Sequence, residues 1–205
     1  MASNTTPVSL PENKKTCRPT SGPGLRMAGA LIALALLCGA CASSGPRPVT
    51  ASWADSPETY LLPLSLVSQK SQACCGAASL AMVASYWTGL PETAHTINDI
   101  ACPEQGFSGQ ELAQIAQSLG FDALIYQGSL ADINRHLAAT RPVIVMLGRE
   151  KSRHFAVVAG HGGKGEEIVL HDPAAGRVVW RNKNFLKHWE QAGRFLLLVV
   201  PKQGS

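Results

Sequence analysis

Gln69-Lys70-Ser71-Gln72-Ala73-Cys74-Cys75-Gly76-Ala77-Ala78 sets two adjacent cysteines ahead of a glycine and an apolar run. Residues 77–87 are rich in Ala, Leu and Met and stop at Thr88-Gly89, which predicts a helix with a C-terminal glycine stop. A cysteine at the head of such a helix suits a nucleophile. The positive end of the helix dipole favours thiolate over thiol, and the free N–H groups of the first turn can accept a developing oxyanion. Gly76 is expected to let a substrate backbone approach closely. The competing reading of Cys75 is a small buried hydrophobe, the usual fate of a free cysteine.

Outward from this stretch, residues 60–67 are apolar with Pro63 inside, an edge strand or extended entry segment. Residues 92–101 predict a second, shorter helix. Ser108 and Glu111 have capping-box spacing, so a helix should run from there to Leu119 and stop at Gly120. Ser129 and Asp132 repeat the signal for a helix ending near Ala139, before Arg141-Pro142. Beyond Pro142 the period changes: residues 143–147, 154–160, 167–171, 177–180 and 195–200 are short, β-branched and separated by Gly, Pro or Asp turns. Helices first and strands later predict an α+β domain whose antiparallel sheet carries helices on one side.

A thiolate needs a base and an orienter. His154 opens the apolar strand pattern 154–160, and Asp172 follows the pattern 168–171 and precedes Pro173. If these strands are antiparallel neighbours, the start of one lies beside the end of the other, and imidazole can meet carboxylate. That is Cys–His–Asp logic, in which the acid fixes the ring's tautomer and orientation.

The order Gln69…Cys75-Gly76, His154-Phe155 and Asp172-Pro173 resembles the double-glycine-leader (bacteriocin-processing) cysteine peptidases and their single-domain relatives. Leu80-Ala81-Met82-Val83 through Tyr86-Trp87-Thr88-Gly89, the helix 111–120 and Pro142-Val143-Ile144-Val145 also match, so the resemblance spans about residues 60 to 200. It implies a papain-like fold, with N-terminal helices packed on an antiparallel sheet. It further implies Cys75 as nucleophile, His154 as base, Asp172 as orienter and the Gln69 side-chain amide in the oxyanion hole. The implied substrate is a peptide or protein cut after a Gly-Gly-type leader site. Single-domain relatives also occur beside secretion systems, including those for functional amyloids, which makes such a system an expected partner.

Two features depart from the family pattern. Where the family commonly has Asp immediately before the nucleophile, this chain has Cys74. No ATP-binding-cassette domain follows and no Gly-rich phosphate loop occurs, so setting and substrates are expected to differ from those of exporter-fused members. In an oxidising compartment Cys74 and Cys102 are candidates for a disulfide stapling the nucleophile's loop to the segment before the third helix. An inert, packed Cys74 is the alternative, and pairing by Cys75 itself would make the enzyme redox-gated.

The other histidines have plainer readings. His161 lies in Gly160-His161-Gly162-Gly163, which reads as a hairpin turn at the surface, and His171 should point away from Asp172. His95, His136 and His188 lie in helical, polar surroundings and read as solvated. Trp87 and Trp180 read as core. Cysteines and histidines do not recur at metal-ligand spacing, so neither a metal nor a cofactor is expected. Two other readings of the function remain open: a non-catalytic leader-peptide-binding module, and a cell-wall amidase of the NlpC-type papain-like group. The latter usually carries Asp-Cys-Ser-Gly at its nucleophile.

The N-terminal region reads as an address. Residues 27–37 are an apolar run broken only by Gly29. Such a run spans roughly 16 Å as a helix, too short to cross a bilayer and suited to a signal peptide. Leu37-Cys38-Gly39-Ala40-Cys41-Ala42 then resembles a bacterial lipoprotein processing site, with Cys38 where a branched aliphatic residue is usual. The expected organisation is therefore a signal peptide over 1–40, a lipid-anchored tether of low order over 41–59 with Cys41 as attachment site, and the peptidase domain over 60–205. Location would be the cell envelope, facing the periplasm, with Ala42 pointing to the outer membrane in a Gram-negative cell.

The 205 residues are 45% hydrophobic and 16% charged, enough for one core and not for two large domains. Of the formal charge of +4, the first 40 residues hold +3, so the remainder is nearly neutral. Nucleic acid is excluded as an expected partner, since no phosphate-binding stripe remains.

Overall fold

The strands beyond Pro142 are continuous apolar runs because both faces of their sheet are covered. Along Val143–Leu147, Ile144 packs with one apolar cluster while Val143, Val145 and Leu147 pack with another. Phe155, Val157 and Ala159 alternate in the same way with Ala156 and Val158.

The computed structural model describes residues 45–149 and 152–202. In chain order the elements are β1 (Arg47–Pro48), α1 (Ala51–Ala54), β2 (Tyr60–Leu61), a 3-10 turn over Gln72–Cys74, α2 (Cys75–Thr88), α3 (Pro91–Asn98) and α4 (Gly109–Ser118). There follow β3 (Phe121–Gln127), α5 (Leu130–Ala138), β4 (Val143–Leu147), β5 (His154–Gly162), β6 (Glu167–Asp172), β7 (Gly176–Arg181), α6 (Asn182–Gln191) and β8 (Phe195–Pro201). The strands form one antiparallel sheet in the order β1-β7-β6-β5-β4-β8-β3, with β2 pairing β5 beyond the end of β4. The signal-peptide reading of 1–40 and the lipid attachment at Cys41 lie outside the described residues.

Local signals set the helices. Both capping boxes form: Ser108 Oγ accepts from Glu111 N while Glu111 Oε2 accepts from Ser108 N, and Ser129 and Asp132 reciprocate likewise. Gly89 ends α2 at φ 68°, in the left-handed conformation that glycine favours. Residues 75–85 of α2 are all buried, so this helix is apolar on every side and runs through the middle of the fold. It packs with Ile97 of α3 and Leu112, Ala113 and Ala116 of α4 on one face of the sheet.

Three expectations need correction. Helices cover both faces rather than one: Ile133 and Leu137 of α5, with Phe185 and Trp189 of α6, close the second cluster. Nor do helices simply precede strands. β3 lies between α4 and α5 and pairs with β8 over its whole length, from Phe121 opposite Pro201 to Gln127 opposite Phe195. Its pairing partner is some seventy residues away, which no local pattern reveals. Thirdly, part of the supposed tether is docked on the domain. Arg47 and Pro48 pair with Val179 and Val178, and Val49 N donates to Arg177 O (3.0 Å). Trp53 Nε1 and Arg47 Nη2 both donate to the Glu167 carboxylate, at 2.8 and 2.7 Å. Proline is tolerated because β1 is an edge strand, and the folded unit starts before residue 47 rather than at Tyr60.

The plainer histidine readings also change. His136 is only 8% exposed, and its Nε2 lies 2.6 Å from the Tyr126 hydroxyl. His188 is half-buried with its ring edge-on to Trp180, and His161 stacks on Tyr60 with centroids 5.6 Å apart. His95 alone of these is exposed. Trp87 and Trp180 pack against the two apolar clusters as expected, and Trp87 Nε1 donates to Val199 O (2.8 Å).

Candidate active site

Three elements deliver the candidate triad. Cys75 opens α2 directly after the 3-10 turn; it is 7% exposed and is the free cysteine among the described residues. His154 is the first residue of β5 and Asp172 the last of β6. These strands are antiparallel neighbours with Val157 opposite His171, so the register carries Asp172 back toward the head of β5. His154 Nε2 lies 2.7 Å from Asp172 Oδ1. The same oxygen accepts from Ala174 N (2.8 Å) and Ala175 N (3.1 Å) in the turn that Pro173 begins. With Nε2 committed to the carboxylate, Nδ1 is the ring nitrogen left for Cys75, which is hydrogen-bonded to His154.

The charges follow from these contacts. Burial works against a thiolate at Cys75, but the hydrogen bond from His154, that from the Phe155 backbone and the charge of the ring outweigh it, so the thiol lies below its ordinary range. Burial also works against an imidazolium at His154, yet Asp172 and Cys75 raise it to about 9. For Asp172, burial is outweighed by His154 and by the two backbone donors, and its carboxyl titrates below the usual range. The arrangement is that of a thiol, an imidazole and a carboxylate in series, each with its pKa moved in the direction that favours a thiolate–imidazolium pair.

Gln69 lies beside this group: its N–H donates to Pro173 O (3.0 Å), next to Asp172. The Gln69 Oε1 atom is buried and has no partner among the described residues. Gly76 serves otherwise than expected. A Cβ there would stand 3.0 Å from Leu112 Cδ1, so its missing side chain lets α2 and α4 close up rather than admitting a substrate. His171 is 1% exposed, and neither ring nitrogen has a partner among the described residues; burial holds its pKa down to about 4. It does not compete with His154 as a base.

Cys74 and Cys102 are joined by a disulfide, with Cα atoms 5.6 Å apart. A cross-link closing a loop of this length contributes about 3–4 kcal/mol in the chain-entropy account. A cleft of about 610 Å³ opens at Cys75. Gln72 and Ala73 line it from the nucleophile's own segment, Glu104 to Ser108 from the loop before α4, and Met146, Arg153 and Phe155 from the β4–β5 end. The sequence motifs do not reach Glu104 to Phe107, Met146 or Arg153, because their link to Cys75 runs through the disulfide and the β4–β5 hairpin. Among the described residues no group of three His, Cys, Asp or Glu is placed to hold a metal ion, and no helix is long and apolar enough to cross a membrane.

The chain resembles proteins already known. It is 30% identical over 132 residues to the "Probable functional amyloid protease FapD" of Pseudomonas aeruginosa, covering 60% of this chain and 56% of that protein. It is 25% identical over 138 residues to the "Lactococcin-G-processing and transport ATP-binding protein LagD" of Lactococcus lactis subsp. lactis, covering 67% of this chain but 19% of that one. The chain thus spans about half of the first relative and a fifth of the second. The fold matches the crystal structure of a double glycine motif protease from an AMS/PCAT transporter in complex with the leader peptide, with a TM-score of 0.54 and 22% identity over 69% of this chain and 94% of that one. The sequence profile of the C39 peptidases aligns with residues 64–204, which takes in Cys75, His154 and Asp172 together with the helices and strands that carry them, and the chain therefore belongs to the peptidase C39 family.

Proposed function

We propose that this protein is an exported, lipid-anchored cysteine peptidase that cleaves secreted peptides or proteins after Gly-Gly-type leader sites. The observation that carries the reading is the hydrogen-bonded series Cys75–His154–Asp172 at the head of a buried helix, opening onto a cleft. In this reading Cys75 Sγ attacks the scissile carbonyl carbon. The oxyanion that forms is met by the backbone N–H of Cys75 and the side-chain amide of Gln69. The C–N bond breaks as the His154 imidazolium gives its proton to the leaving amine, leaving a thioester on Cys75. Water, deprotonated by the now neutral His154, hydrolyses the thioester and restores the pair. Asp172 holds the ring so that Nδ1 faces sulfur throughout.

The likeness to a protease bound to a leader peptide, and to a processing and transport protein, supports a leader-peptide substrate and a secretion system as partner. The lipoprotein-like run ending at Cys41 supports anchoring in the envelope, facing the periplasm, and the Cys74–Cys102 disulfide suits an oxidising compartment. The test follows cleavage of a Gly-Gly leader peptide by wild type and by Cys75→Ala: loss of turnover in the variant is expected, and undiminished turnover overturns the reading. Cys41→Ala should release the protein from the membrane fraction.

A further inference from the structure

Residues 68–74, which lead into Cys75, run beside residues 98–106, which lead toward α4. Asn98 Nδ2 donates to Ser68 O at 3.3 Å, and Lys70 pairs with Asp99. Cys74 is bonded to Cys102, and Gly106, at φ 78°, comes so close that a Cβ there would stand 3.1 Å from Ala73 O. These links are unequal. The hydrogen bond is long, and the ion pair is exposed on both sides (56% and 65%), so it holds little. The disulfide is the firm one. From Cys102 to the capping box of α4 the backbone makes one internal hydrogen bond, Gly106 N to Pro103 O at 2.8 Å. That sparsely bonded loop carries Glu104, Gln105 and Phe107 to the cleft at Cys75.

We infer that Cys74 and Cys102 are positioning residues for peptide binding: their disulfide holds the 104–107 wall of the cleft against the nucleophile's turn. The inference rests on the peptidase reading above. The triad itself does not depend on the bond. His154 and Asp172 sit on paired strands of the sheet, and Cys75 begins a helix buried from residue 75 to residue 85. Breaking the bond therefore loosens the wall and spares the chemistry. A dithiol reductant does this by giving up two electrons and two protons: the S–S bond becomes two thiols and the dithiol becomes a disulfide.

The test compares the full-length wild type with Cys74→Ser/Cys102→Ser, without reductant. Hydrolysis of a fluorogenic peptide amide ending in Gly-Gly is measured alongside Cys75 alkylation by iodoacetamide, which has no peptide portion for the cleft wall to hold, and by a Gly-Gly chloromethyl ketone, which has one. The expected result is a KM raised about fivefold or more with kcat within about twofold. The chloromethyl ketone rate should fall in parallel, while the iodoacetamide rate and its pH dependence stay unchanged. An unaltered KM and ketone rate overturn the inference, as does a fall in kcat and iodoacetamide rate with KM unchanged. Should the double variant fold poorly by circular dichroism, the same pair of alkylations, followed at Cys75 by peptide mass spectrometry on wild type before and after brief dithiothreitol treatment and removal of the reductant, gives the same discrimination. If neither form cleaves the peptide but the alkylation ratio shifts, the wall assignment stands and the peptidase reading falls. If both cleave it with equal KM, the reverse holds.

Discussion

His154 Nε2 and Asp172 Oδ1 are 2.7 Å apart although 18 residues separate them in the chain. The hairpin between β5 and β6 makes this contact, and the turn after Asp172 fixes the carboxylate by two further N–H donors. The consequence is electrostatic. A carboxylate held in place raises the pKa of the imidazole, and the ring in turn lowers that of Cys75.

The pH–rate profile should report this pair. The active form exists above the lowered pKa of Cys75 and below that of His154, about 9. A bell-shaped kcat/KM is expected, with its alkaline limb near pH 9. Asp172→Asn removes the charge that raises His154, so the alkaline limb should move to lower pH and kcat/KM should fall by about tenfold or more. An alkaline limb that stays in place in the variant would separate Asp172 from the imidazolium.

His171 predicts an acid-labile fold. Its pKa is held at about 4 in the folded protein against 6.5 in an unfolded chain, so between those values the unfolded state binds more protons. Stability should therefore fall as pH drops from 6.5 toward 4, by about 3 kcal/mol in all. His136, also lowered, adds to the same trend. His154 does not oppose it, because a raised pKa contributes in full below 6.5 and is lost only as pH rises through about 9. Urea unfolding at pH 7 and pH 5 should show the loss in wild type, and His171→Leu should remove most of it.

The sequence carried the site better than the architecture. A cysteine before a glycine and an apolar helix, a histidine opening a strand and an acid closing the next are local patterns, and the β5–β6 hairpin needed no distant information. The capping boxes at Ser108 and Ser129 fixed two helix starts for the same reason. What stayed hidden depends on distant partners. The pairing of β3 rests on β8, and the docking of Arg47 and Trp53 rests on one carboxylate, Glu167, more than 110 residues away. Gly76 shows the converse: its neighbours in sequence suggested substrate access, and its neighbour in space is Leu112.

Gly160 is paired along both edges of β5. The β5–β6 register shifts between Val158 and Gly160, and β2 pairs along the opposite edge, with Leu61 facing Gly160. A Cβ at Gly160 would stand 2.2 Å from Tyr60 O, a backbone atom that cannot move without breaking the β2 pairing. Gly160→Ala should cost about 1–3 kcal/mol of stability by overpacking. The loss should appear in thermal unfolding, with protection of the Leu62 amide, which donates to Ala159 O, reduced in hydrogen exchange.

Glu167 gathers the N-terminal segment onto the domain. Its two carboxylate oxygens are divided between Arg47 and Trp53, and the Trp53 ring covers Gly162, where a Cβ would stand 2.3 Å from the indole. Burial disfavours this carboxylate, but Arg47 and Trp53 more than compensate, and its pKa is lowered. Trp53→Ala forfeits a half-buried indole and leaves one carboxylate oxygen without its donor, at a cost of about 1–2 kcal/mol. The informative readout is local. Limited proteolysis should cut within residues 45–59 much faster in Trp53→Ala than in wild type, while the site at Cys75, held by other elements, keeps its iodoacetamide reactivity. Equal cutting rates in the two proteins would mean that β1 and α1 dock without the indole and that the strand pairing with β7 alone holds them.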